Sequence, residues 1–261
     1  MSEVIVGFWN CTLSKTWFTL TMEQRIVKLR AAVLSVDVEG RIRSQAGAGR
    51  QAIQTIFVAP EYAFCRECPD SESKKIGKAA LQTDAEGYQQ LLSALKMLTR
   101  QFPYVLLAPG TIAHTKNESA MNTCIAVLGG NVRSVFHKKE GVGEVRVRKE
   151  VDGEVTEGDG LTFKPGTGCG LVAEGGKTFL LHICRDATIT PDAQAPTFDV
   201  HIVVGQGVGA DAIAKRGTQL LIVADFGSYG VTDLRTNKKL LCYRKDTLLD
   251  CDIHFYRAQI D

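Results

Sequence analysis

The sequence lacks an excess of charge of either sign: 31 Lys and Arg stand against 29 Asp and Glu in 261 residues, a formal net charge of +2. That argues against a dedicated nucleic-acid binder, which clusters basic residues on one face or in a tail. Long hydrophobic runs are also missing. Stretches such as Phe179–Leu181 and Ile202–Val204 fall far short of the roughly 18 consecutive apolar residues of a membrane span, so no membrane partner is expected. Cysteine is sparse, eight in the whole chain, well under the roughly 8–10% of a disulfide scaffold. The opening MSEVIVGFWN carries Glu3, no basic leader and no small-residue cleavage site; it does not read as a signal peptide. The expectation is a cytoplasmic chain with reduced thiols, any reactive one of which can serve as a nucleophile. The five histidines are scattered without paired ligand spacing. Cys65-x-x-Cys68 is a single pair where structural zinc needs four ligands, so the two read as loop thiols. Neither a metal nor an organic cofactor is expected.

What is present is ordinary globular composition, 44% hydrophobic and 23% charged, with no repeat and no linker. We read residues 1–261 as a single α/β domain in which short β-branched runs alternate with segments of helical period. Val4–Trp9 reads as a strand and Thr21–Val36 as a helix, with Gly40–Arg50 a loop. Thr55–Ala59 is an apolar strand ending at Pro60, and Thr83–Phe102 a helix capped by Thr83 or Asp84. Tyr104–Ala108 is a buried strand; Thr123–Leu128 and Val132–His137 form a hairpin about Gly129-Gly130-Asn131. Lys138–Gly160 has no period and reads as a long connection. Strands follow at Gly170–Ala173, Thr178–Ile183, Asp199–Val204, Leu220–Ala224, Tyr229–Asp233 and Leu248–Ile253. Gly205-Gln206-Gly207-Val208-Gly209 lacks the Lys-Ser/Thr of a phosphate-binding loop and reads as a flexible loop.

Three of these strands end on a reactive side chain: Glu61 after Val58-Ala59-Pro60, Lys138 after Phe136-His137, and Cys184 after His182-Ile183. A charge at the end of a buried strand is costly to desolvate unless it is paired, and in open α/β sheets strand ends are where functional groups gather. Brought together, the carboxylate takes the thiol proton, the ammonium stabilises thiolate and oxyanion, and the thiol attacks an electrophilic carbon.

These three segments, in this order, resemble the catalytic motifs of the nitrilase superfamily of carbon–nitrogen hydrolases. Phe163-Lys164-Pro165-Gly166, Asp199–Val204 and Gly217–Asp233 extend the resemblance over essentially the whole chain. The resemblance implies a four-layer αββα sandwich, often dimerised through one helical layer. It implies Glu61 as general base, Lys138 as oxyanion stabiliser and Cys184 as nucleophile, with the backbone N–H of Arg185 as a second oxyanion donor. The substrate class it implies is a small amide or nitrile, the amide preferred, with a thioester intermediate. Lys138 is preferred to Lys139 because it lies two residues after Phe136. Family members often have a second glutamate supporting the lysine, and spacing from Pro165-Gly166 favours Glu157 or Asp159. Tyr62 reads equally as pocket lining or core. Arg185 is a candidate for a substrate carboxylate or for a salt bridge with Asp186 or another acid. Acyl transfer to an acceptor other than water, and a silent interaction protein on the same scaffold, are the rival readings.

Overall fold

The computed structural model describes the chain except for residues 1, 14–15, 45–52, 66–82, 117–118, 140–148, 152–153, 157–161, 168–169, 190–196, 209, 215 and 226–227. In chain order come β1 (Ser2–Asn10), α1 (Met22–Ser44), β2 (Thr55–Val58), α2 (Ala85–Gln101), β3 (Val105–Ala108), β4 (Thr111–Lys116), β5 (Ser119–Leu128) and β6 (Asn131–His137). A small hairpin, β7 (Lys149–Val151) with β8 (Glu154–Thr156), precedes β9 (Thr162–Phe163). Then come β10 (Gly170–Glu174), β11 (Lys177–Ile183), β12 (Phe198–Gly205), β13 (Gly217–Asp225), β14 (Gly230–Asp233), β15 (Lys238–Lys239), β16 (Arg244–Leu248) and β17 (Cys251–Ile260).

The strands form two sheets. The first has the order β16-β17-β1-β2-β3-β5-β4, with β6 and β9 also on β5; the second runs β10 to β15 in sequence order. Strands β1, β2 and β3 are parallel neighbours, as are β11, β12 and β13, and such strands are fed by crossovers and covered on both faces. Period-2 alternation then sorts the core. Ile5, Phe57, Leu107 and Ile125 face α1 and α2 across Leu29, Val33, Leu95 and Leu98. Val6, Ile56, Leu106 and Cys124 face the second sheet across Phe179, Leu181, Ile202 and Ile222. On the far side of the second sheet, Val203, Leu221 and Val223 pack on Ala187, Val208 and Ile213. The sandwich is the one expected; among the described residues its last layer is built from short 3₁₀ turns at Cys184–Thr188 and Ala210–Ala212.

Several sequence expectations change. The Lys138–Gly160 stretch, read as a long connection, carries the β7–β8 hairpin, and β4 and β16 have no counterpart in the sequence reading. Helix α1 runs on through Gly40 to Ser44. A Cβ at Gly40 would lie 2.2 Å from Thr55 Oγ1, so this glycine is where the helix passes against the start of β2, not where it stops. Its N-terminus is a capping box, Gln24 N–H donating to Thr21 Oγ1 and Thr21 N–H to Gln24 Oε1. The last strand is Cys251–Ile260, not Leu248–Ile253, and pairs antiparallel with all nine residues of β1. Asp84, not Thr83, caps α2 by accepting from Gly87 N–H.

The outer face of the second sheet carries a chain of neutral imidazoles. Arg216 N–H donates to His201 Nδ1, so His201 holds its proton on Nε2 and donates it to His182 Nδ1 at 3.1 Å. Burial, with Arg216 and Lys139 nearby, holds His182 down to about 4; burial, His182 and Arg216 hold His201 down to about 3. Both values lie below the ordinary 6.5, so the unfolded chain binds more protons on acidification. Their contribution is complete above pH 6.5 and is lost as pH falls from 6.5 towards 3. Urea unfolding at pH 7 and pH 4.5 should show wild type losing on the order of 5 kcal/mol more stability than a His182→Gln/His201→Gln variant. Equal losses in the two proteins would contradict this account.

Candidate active site

Glu61, Lys138 and Cys184 meet where the two sheets face each other. Each lies just past a strand, β2, β6 and β11 respectively. Glu61 N–H donates to Gly205 O at the end of β12, which ties the tip of the first sheet to the second. Lys138 N–H donates to Asn122 O at 2.8 Å, and Gly166 N–H to Lys138 O at 3.0 Å, so the lysine backbone is held from both sides.

The side chains converge on one carboxylate. Lys138 Nζ lies 2.9 Å and Asn122 Nδ2 2.8 Å from Glu61 Oε1, and the Cys184 thiol lies within the electrostatic reach of the same carboxylate. Glu61 and Lys138 are each 2% exposed. A pair so buried holds only because both partners are present and further hydrogen bonds complete their shells. Burial first, then the Glu61 charge, push the Cys184 thiol up to about 11, against an opposing pull from Lys138 and the Gln206 backbone. Cys184 therefore rests as a thiol beside this carboxylate, with its sulfur also 3.9 Å from Gln206 O.

Backbone strain marks the same place. Only five non-glycine residues among those described have positive φ, and two are Tyr62 at 60° and Cys184 at 50°. Such conformations persist where surrounding structure over-determines them, and they cluster at functional sites. Tyr62 is held by donation of its N–H to Thr111 Oγ1 at 2.8 Å, and its side chain is buried. At Cys184 the chain turns sharply from β11 into a 3₁₀ turn, presenting the sulfur at the strand end.

The remaining sequence candidates fall as follows. Lys139 is exposed, and its N–H donates to Asp186 Oδ2 at 2.8 Å; alternation along β6 puts Lys138, not Lys139, at the carboxylate. Buried Asp186 accepts that bond, while Arg185, the next residue after Cys184, is exposed. Glu157, Asp159 and Cys68 lie outside the described residues. Cys65 is buried and its carbonyl and sulfur accept from Arg25. Among the described residues, no group of three or more His, Cys, Asp or Glu converges as a metal site.

No family model and no curated protein sequence matches the chain. Solved structures do. An amidase from Nesterenkonia sp. AN1, as a double mutant in complex with acrylamide, is 14% identical with a TM-score of 0.59, over 99% of this chain and 92% of that one. A cysteine-to-alanine mutant of the Nesterenkonia AN1 amidase, described as from the nitrilase superfamily, is 14% identical with a TM-score of 0.57 over 98% and 90%. A CN-hydrolase superfamily protein from Xanthomonas campestris, with an arsenic adduct in its active site, is 12% identical with a TM-score of 0.57 over 99% and 91%. The chain has the nitrilase-superfamily fold.

Within this nitrilase fold, sequence reading overlooked two contributors. Asn122 sits in β5, a strand that reads as uniformly apolar apart from its start, and only its pairing with β6 brings it to Glu61. Gly205-Gln206, read as the opening of a flexible loop, instead supplies the carbonyls that accept from Glu61 N–H and the Cys184 thiol. The signal that could have found Asn122 is a polar residue near the start of a buried run; the two backbone carbonyls leave none. With the thiol held up to about 11, alkylation of Cys184 by iodoacetamide, followed by peptide mass spectrometry, should rise roughly tenfold per pH unit from pH 7 to pH 10. A rate already level at pH 7 would show a pre-formed thiolate and refute the assignment.

Proposed function

We propose that the protein is a cysteine-dependent hydrolase of a small primary amide, working through Glu61, Lys138 and Cys184 with a thioester intermediate. The observation that carries this reading is the buried convergence of thiol, carboxylate and ammonium at the ends of three strands. The fold shared with the Nesterenkonia amidase, one structure of which is described as showing Michael addition of acrylamide at its active-site cysteine, supports it.

Glu61 takes the thiol proton as sulfur attacks the carbonyl carbon. Lys138 Nζ and the N–H of Arg185, the residue after the nucleophile, stabilise the oxyanion. The tetrahedral adduct collapses as the proton passes from Glu61 to the departing nitrogen, leaving ammonia and an acyl-thioester. Glu61 then deprotonates water, which attacks the thioester and frees the acid and the thiol.

Two buried acceptors favour amides over nitriles. Among the described residues, Asn122 Oδ1 and Gln206 Oε1 have no hydrogen-bond partner, although Asn122 touches Glu61 through its Nδ2 and the Gln206 backbone touches Cys184. Buried acceptors without donors are costly. A carboxamide NH₂ brings two donors; a nitrile brings none. A panel of primary amides and nitriles assayed for ammonia release should show turnover of amides, lost by at least about 10³-fold in Cys184→Ala with the fold retained. Acid quench of the wild type should trap an acyl adduct on Cys184, and an active Cys184→Ala protein would sink the mechanism.

A further inference from the structure

A cavity lies on the other face of the first sheet. Strand β5 puts Asn122 between the sheets with Cys124 and Ala126, and Thr123 on the helical side with Ile125 and Val127. The same alternation on β6 sends Lys138 to the triad and His137, paired with Thr123, to the helical side. There, between the start of α2 and the edge strands, is a cavity of about 520 Å³, within the range of small-molecule sites.

Its lining is chemically one-sided. Among the described residues, Lys164 is the charged side chain and no Asp or Glu lines the cavity. Tyr88, Met121 and Pro165 supply apolar and ring surface, with the Tyr88 ring stacked on His114 at 4.5 Å. Three adjacent strands carry a continuous relay: His114 Nε2 lies 2.9 Å from Thr123 Oγ1, which lies 2.7 Å from His137 Nδ1. Thr123 has one proton, so it donates to only one imidazole and accepts from the other. The two tautomers are thereby coupled. With His114 Nε2–H donating to Thr123 and Thr123 donating to His137 Nδ1, the His137 proton sits on Nε2, which has no hydrogen-bond partner among the described residues.

We propose that this cavity is a binding site for a small organic carboxylate with an aryl or branched alkyl body, separate from the Cys184 site. The carboxylate pairs with Lys164 and accepts from His137 Nε2–H, while its body lies against Tyr88, Met121 and Pro165. Lys164 is the charge facing His137; His114, through Thr123, and Tyr88 on α2 are the other titratable groups around it. Burial and Lys164 hold the free His137 below its ordinary value. A bound anion reverses that, and His137 takes up a proton from solvent. Both its nitrogens then donate, Nε2–H to the ligand and Nδ1–H to Thr123, which turns its own proton to His114 Nε2 as His114 gives up its Nε2 proton to solvent and takes one on Nδ1.

The test is a titration of the full chain with benzoate, using benzyl alcohol as the uncharged control, followed by histidine ring resonances in NMR. Turnover is not read, so the outcome is independent of the amidase proposal. Benzoate should shift the His114 and His137 resonances together and saturably at about millimolar concentration. Affinity should rise several-fold from pH 8 to pH 6, and Lys164→Ala, a change at an exposed residue, should weaken it roughly tenfold. Benzyl alcohol should bind far more weakly. The proposal fails if neither imidazole responds saturably, if the alcohol matches benzoate, if Lys164→Ala binds as wild type, or if shifts are confined to the Lys138 and Cys184 side of the sheet.

Discussion

The Glu61–Lys138 ion pair is the constraint on which the rest of the site depends. Two charges at 2% exposure stay ionised only if their mutual attraction and added hydrogen bonds repay desolvation, and removing one partner from such a pair costs roughly 3–5 kcal/mol. The repayment comes from far apart in the chain. Asn122 donates to the shared oxygen from β5, and Gly205 accepts from Glu61 N–H at the end of β12. The pair therefore forms only when both sheets are in register. Assembling the fold and assembling the reactive centre are one event, and the thiol of Cys184 arrives beside a carboxylate whose position is already determined.

Much of this was legible in the sequence, for a physical reason. Apolar strands that stop abruptly at Glu61, Lys138 and Cys184 advertise charges or a thiol at the edge of a core, and that pattern survives without any knowledge of pairing. What was not legible is whatever depends on pairing. Asn122 becomes a partner of Glu61 only through the β5–β6 ladder, and the carbonyls of Gly205 and Gln206 carry no side-chain signature at all. Gly40 misled in the same way: its lack of a side chain reads locally as a helix end, whereas the approach of Thr55 explains it. The last strand was read too short because its polar positions, such as Arg257 and Gln259, alternate with buried Tyr256, Ala258 and Ile260.

Alternation also settles how one short segment serves two environments. His137 and Lys138 are adjacent, yet one faces the helical layer and the other the gap between sheets. Gly166 belongs to both sides, lining the helical-side cavity while its N–H holds the Lys138 carbonyl. A Cβ there would sit 2.1 Å from His137 O. The residue is thus glycine because the 164–167 segment must press directly on the backbone that aims the lysine.

Strain completes the argument. Tyr62 and Cys184 each adopt a left-handed backbone that costs of order 1–3 kcal/mol, at the two turns that present the Glu61 carboxylate and the Cys184 thiol. Neither turn is free to relax. Tyr62 is pinned by Thr111 Oγ1, and the 3₁₀ turn after Cys184 is tied back through Asp186 to the Lys139 N–H. That last bond links the Cys184 turn to the residue beside Lys138. The same contacts that offset the strain therefore hold thiol, carboxylate and ammonium at mutual distances that thermal motion of a simple loop would not preserve.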